Sequence, residues 1–207
     1  RGVSFENCSL ENSVLLKSNK TVNGSTNYGA GIFSIASGME VKGCSFTGLN
    51  YGVYFGINGS KTYNASIIGS TFTSCLNGIV NLGRASVFIN DNRFEMDDDI
   101  PTQSPAPQVG IYLYSSILGQ TIEQNAFVRS NEYSRYSIGV LAGYTGSYYN
   151  RINENTFTGL VMCTENYGKN GELIEISPDG TYRIIRKIER VKSKISGIRR
   201  GSVIWLK

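Results

Sequence analysis

The 207-residue chain has no histidine, four prolines, a single tryptophan and only 17% charged residues. Without histidine it lacks the commonest metal ligand and the one side chain whose ordinary pKa suits a general base near neutral pH. The four cysteines do not stand at zinc-site spacings, and we expect no metal and no cofactor. No apolar run is long enough to cross a bilayer as a helix, so we read the chain as not membrane-spanning. A sustained 3.6-residue apolar period with caps is also missing, and little helix is expected. The first residue is Arg1 and a repeat is already under way at Phe5, which reads as a fragment or a processed product.

What the chain does have is a repeat. Phe5 and Leu10, Val41 and Phe46, Ile67 and Phe72, Ile89 and Phe94, Ile122 and Phe127, and Ile152 and Phe157 are six apolar pairs, each five positions apart. The steps between pairs vary (36, 26, 22, 33 and 30 residues), so the constant unit is a short corner between two strands and the variable length lies in loops. Three residues after each first anchor stand Cys8, Cys44, Ser70, Asn92, Asn125 and Asn155, small side chains able to bond backbone groups at a tight corner. Gly31-Ile32, Gly52-Val53, Gly78-Ile79, Gly110-Ile111 and Gly139-Val140 then open a further strand in each repeat.

Hairpin turns are missing where strands of this length would need them, so the strands must pair from one repeat to the next. That stacking predicts an internal column of Phe46, Phe72, Phe94, Phe127 and Phe157, and an amide ladder of Asn92, Asn125 and Asn155. Over residues 1 to about 165 the sequence resembles the pectate-lyase-like, right-handed parallel β-helix proteins, whose coils carry stacked aromatics and asparagine ladders. The expected fold is all-β: a solenoid of about six coils over residues 1–168, followed by a small β-sandwich-like segment over 169–207. Cys8 and Cys44 share a corner position in adjacent coils; buried free thiols are expected, since cysteine packs there as a small hydrophobe.

Function is sought on the outer surface. If Ile32, Val53, Ile79, Ile111 and Val140 point inward, alternation sends Phe33, Tyr54, Val80, Tyr112 and Leu141 outward. An exposed row of rings is a platform on which pyranose faces stack. Two long loops, Glu95 to Gln108 and Val128 to Ile138, are expected to form one lateral patch. It would hold Asp97, Asp98, Asp99, Arg129, Tyr133, Arg135 and Tyr136. The expected binding residues are Phe33, Tyr54, Tyr112, Tyr133 and Tyr136, with no catalytic residue assigned. Three consecutive aspartates cannot all converge from a strand, so a solvated acidic loop is the expected state of that run. The family resemblance implies an alternative, a polysaccharide lyase or hydrolase using Asp-bound calcium with Arg129 or Arg135 as base. A phage tail-fibre element is a third reading.

The tail differs in charge. From Lys169 onward there are 10 Lys or Arg against 4 Asp or Glu, while the rest carries 10 against 12. Its charges alternate with apolar residues instead of clustering with stacking aromatics, which argues against nucleic acid as a partner. The run Ile174 to Gly180 and the ending Lys194 to Lys207 resemble the C-terminal sorting domains of cargo of the Bacteroidota type IX secretion system. That resemblance implies outer-membrane secretion machinery as a partner. The sequence-based expectation is a secreted or cell-surface glycan-binding or adhesive module that meets a polysaccharide or cell-surface glycan.

Overall fold

A computed structural model describes residues 2–11, 21–22, 25–26, 29–35, 37–56, 62–96, 108–113, 119–129, 137–142, 150–160, 162–167, 172–176 and 182–187. Every regular element among them is a strand, and among these described residues no helix is long and apolar enough to cross a membrane. The strands stack in three main sheets, an architecture compatible with a parallel β-helix. The first sheet pairs Val3–Glu6, Met39–Lys42, Tyr63–Ile68, Ala85–Asn90, Thr121–Glu123 and Arg151–Asn153 in that order. The second pairs Ser9–Glu11, Ser45–Thr47, Thr71–Thr73, Arg93–Glu95, Ala126–Val128 and Thr156–Thr158. The third begins with Ala30–Ser34, Tyr51–Phe55, Asn77–Asn81, Gln108–Leu113, Ser137–Ala142 and Met162–Tyr167. Each repeat therefore gives one strand to each sheet before the chain passes to the next.

The five-residue spacing is explained at the corner. In a straight strand, residues five apart face opposite sides. Yet Val41, Ile67, Ile89 and Ile122 are all buried, and so are Phe46, Phe72, Phe94 and Phe127. The phase is reset by the residue two after each anchor, which is left-handed in all six corners: Asn7, Gly43, Gly69, Asp91, Gln124 and Glu154 have φ between 53° and 61°. That bend turns the second apolar residue back into the same core as the first.

Next to the bend runs a ladder along the axis. Cys8 N–H donates to Cys44 Sγ (3.4 Å), Cys44 N–H to Ser70 Oγ (3.1 Å), and Ser70 N–H to Asn92 Oδ1 (2.9 Å). Asn92 N–H donates to Asn125 Oδ1 (3.0 Å) and Asn125 N–H to Asn155 Oδ1 (2.9 Å). Each Asn Nδ2 also donates back to the anchor carbonyl of the preceding repeat: Asn92 to Ile67, Asn125 to Ile89 and Asn155 to Ile122, at 2.9–3.0 Å. Buried amides in this line are thus satisfied on both ends, which is what makes their burial tolerable. The predicted aromatic column is present. Successive rings from Phe46 through Phe72, Phe94 and Phe127 to Phe157 stand 4.7–5.0 Å apart and within 4–7° of parallel. Leu10 occupies the same row in the first repeat.

The glycines of the third sheet are the floor of that column. A Cβ at Gly52, Gly78 or Gly110 would lie 2.6–2.7 Å from the phenylalanine ring of the following repeat and 2.6–2.7 Å from the carbonyl of that repeat's own glycine. The ring of each repeat thus rests on backbone contributed by the one before it.

Two features depart from the sequence-based expectation. Thr21–Val22 and Ser25–Thr26 form a small antiparallel pair, separated by Asn23 and Gly24, the dipeptide favoured in two-residue hairpin loops. In the tail, Glu172–Ile176 and Tyr182–Lys187 pair antiparallel with the end of the third sheet. They are the last two strands of the third sheet, next to Met162–Tyr167. The final stretch, 188–207, lies outside the described residues.

Two stability predictions follow from the core. Phe94→Ala should cost about 3–5 kcal/mol in urea unfolding, as for other fully buried rings; a loss below about 1 kcal/mol would place the ring outside the core. Gly78→Ala should be far more damaging than Gly69→Ala. Gly69 has φ +59° but open space around a Cβ, so its substitution bears only the left-handed penalty of about 1–2 kcal/mol. Equal losses at the two sites would show that the ring does not rest on the glycine.

Candidate functional site

The outward face of the third sheet holds the expected stripe. Ile32, Val53, Ile79, Ile111 and Val140 are all buried in the main core. Their neighbours Phe33, Tyr54, Val80, Tyr112 and Leu141 align residue for residue across the sheet. Exposure along that row is uneven. Phe33 is 57% exposed and Tyr54 half-buried, whereas Val80 is 1% and Leu141 9% exposed. Leu141 joins Val109 and Ile138 in a second, smaller buried cluster, with Tyr112 packed against it. The row is therefore most open at Phe33, intermediate at Tyr54 and Tyr112, and closed at Val80 and Leu141.

At the open end the rings form a compact group. Phe33 and Tyr54 stack with centroids 5.2 Å apart and planes 21° from parallel. Tyr51 meets Tyr54 edge-on at 5.1 Å and 68°. Rings stacked along the axis cover one another's faces and show their edges sideways. Phe33, however, lies on Ala30–Ser34, the terminal strand of its sheet, so among the described residues no paired strand covers the side of the ring away from Tyr54. The ring leans over Gly56, where a Cβ would come within 3.3 Å of Phe33 Cζ, and exposed Ile35 borders the same spot.

Tyr51 escaped the sequence reading. It stands three residues before Tyr54, an odd-even mismatch that strict alternation assigns to the other face. Asn77 lies beside Tyr51 in the next strand, and its Nδ2 donates to Asn50 O at 3.5 Å. Of the other expected binding residues, Tyr133 and Tyr136 lie outside the described residues, as do Asp97 to Asp99 and Arg135. Arg129, assigned with them to an exposed patch, is instead 6% exposed, and its Nη1 donates to Ser137 Oγ at 3.1 Å. Among the described residues, no three or more acidic, cysteine or histidine side chains gather as a metal site.

Ionisation is perturbed in a few places. Arg93, by hydrogen bonding at 2.8 Å, holds the Glu95 carboxyl below its usual range, and Thr73 Oγ1 donates to the same carboxylate at 3.0 Å. That pair is solvent-facing and contributes little to stability. Cys8, Cys44 and Cys75 are free thiols. Burial raises the Cys44 pKa and pushes that of Cys75 from 9.0 up to about 12.

No family model, curated protein or solved structure matches this chain.

The Cys75 shift fixes a pH dependence. Folded Cys75 keeps its proton where the unfolded thiol has lost it, so its contribution to stability is complete below about pH 9 and disappears as pH rises from 9.0 to about 12. Urea midpoints measured across that window should fall more steeply for the native chain than for Cys75→Val. Parallel slopes would show that the thiol is not held protonated by burial.

Proposed function

We propose that this chain is a right-handed parallel β-helix of six turns that serves as a glycan-binding module, secreted or displayed at a cell surface. The reading rests on one observation: Phe33 is backed by Tyr54 on one face and more than half exposed. A pyranose presents an apolar face of C–H groups that stacks on such a ring, and the group of Phe33, Tyr51 and Tyr54 offers a shallow platform of that kind. Tyr112, packed against the second cluster, supports the sheet and takes no part in binding. The site sits on rigid strands instead of a closed pocket, so affinity per site is weak, in the micromolar range or above.

Retention on a polysaccharide array, read beside thermal melting, tests this. Phe33→Ala should lower retention at least about tenfold while changing stability by less than about 1 kcal/mol, as for an exposed ring. Tyr112→Ala should do the reverse, leaving retention intact and lowering the melting temperature. If folded Phe33→Ala protein is retained like the native chain, the glycan site is not here.

A further inference from the structure

Two cysteines stand side by side at the corner between the first and second sheets. Glu6 pairs with Lys42 and Ser9 with Ser45, so the residues between them set Cys8 next to Cys44. Neighbouring strands lie about 4.8 Å apart, inside the Cα separation of roughly 4.4–6.8 Å that a disulfide spans. The Cys44 sulfur reaches across to the first repeat: Cys8 N–H donates to it at 3.4 Å, and it lies 3.5 Å from Phe5 O. Cys8 Sγ in turn lies 3.5 Å from Glu6 O. Cys44 Sγ therefore rests against the backbone that carries the Cys8 side chain, so rotation of Cys8 about χ1 carries one sulfur toward the other.

As rungs of the ladder these two residues are weak. The asparagines accept at 2.9–3.0 Å and Ser70 at 3.1 Å, whereas sulfur is a poor acceptor. Serine would bond the neighbouring backbone better and fits the same corner, as Ser70 shows. A single thiol in the core is accounted for by packing, since cysteine behaves there as a small hydrophobe. Cys75 is of that kind: its Sγ lies 3.5 Å from Phe46 O at a different corner, and burial pushes its pKa to about 12, where the thiol stays protonated and unreactive. Cys44 has a second thiol as its neighbour. Burial is the main cause of its raised pKa, and the Cys8 side chain adds to the rise.

We propose that Cys8 and Cys44 are a disulfide-forming pair, oxidised by a small-molecule disulfide to a bond that staples the first repeat to the second. One thiol of the pair, as its thiolate, attacks the reagent and displaces half of it as a thiol. The other then attacks the mixed disulfide so formed, closes the Cys8–Cys44 bond and displaces the second half. The two cysteines give up two protons and two electrons, and the reagent is reduced to two thiols. The bond joins residues 36 apart in sequence, so it restricts the unfolded chain more than a short loop would. It also replaces the weak sulfur contact between these two repeats by a covalent one. The inference is independent of the glycan reading.

The full chain, incubated with oxidised glutathione, blocked with a maleimide and digested, is read by mass spectrometry for linked peptides, with thermal melting alongside. An intramolecular Cys8–Cys44 link is expected, reversed by dithiothreitol, together with a Tm at least about 4 °C above that of the reduced chain. Cys8→Ser, and Cys44→Ser, which gives that rung the chemistry of Ser70, should each melt alike with and without the reagent. Cys75→Ala should keep both the link and the rise. Unmodified thiols, glutathione retained on Cys8 or Cys44 with no bond between them, a link from either to Cys75 or Cys163, or a link between two copies overturns the proposal. A Cys8–Cys44 link that leaves Tm unchanged or lowers it overturns the staple.

Discussion

The left-handed residue at each corner is the constraint on which the rest of the structure depends. Without it, residues five apart fall on opposite faces and no single interior exists for both apolar rows. With it, the two sheets share one core, and the residue just after the bend points its side chain along the axis, where the ladder forms. The aromatic column, the amide ladder and the glycine floor all follow from that one backbone conformation repeated in register.

The ladder changes chemistry along its length. Asn155, Asn125 and Asn92 accept and donate short bonds, Ser70 accepts at 3.1 Å, and Cys44 accepts at 3.4 Å through sulfur. Sulfur is a weak acceptor, so cohesion between repeats along this line declines toward the first repeat. Hydrophobic packing compensates in the middle repeats, where Cys44 and Cys75 lie within the main core. It does so less at the edge, where Cys8 and Leu10 are only partly covered.

How much of this was legible in the sequence differs from feature to feature. The two apolar rows, the column of rings and the three asparagines could be read directly, because each depends on residue type at a fixed offset. The corner conformation could be read at Asn7, Gly43, Gly69 and Asp91, types that tolerate the left-handed region. It could not be read at Gln124 or Glu154, where neighbouring repeats impose it against preference. The outward stripe was legible in register but not in exposure, since alternation says which face a side chain takes and not what lies over it. Tyr51 was missed because it stands three residues before Tyr54, where alternation assigns the other face, and Arg129 was misplaced because a loop assignment says nothing about which way a long side chain turns. The tail strands were recognised from alternation, but their partner was not, since pairing across a sheet edge leaves no local mark.

The glycine floor has a consequence for the molecule as a whole. Each ring rests on a glycine of the repeat before it, and each asparagine returns its amide hydrogen to a carbonyl of the repeat before it. Contacts between neighbours are thus not reciprocal: they have a direction, as in a polar filament with two unlike ends. Stripping a repeat from the far end leaves the remaining rings seated on their glycines, although strand donors and acceptors lose partners at either end. Stripping one from the near end takes away both a seat and an acceptor. The stack is therefore asymmetric: every layer offers a glycine seat and an anchor carbonyl to its successor, and a ladder acceptor to its predecessor.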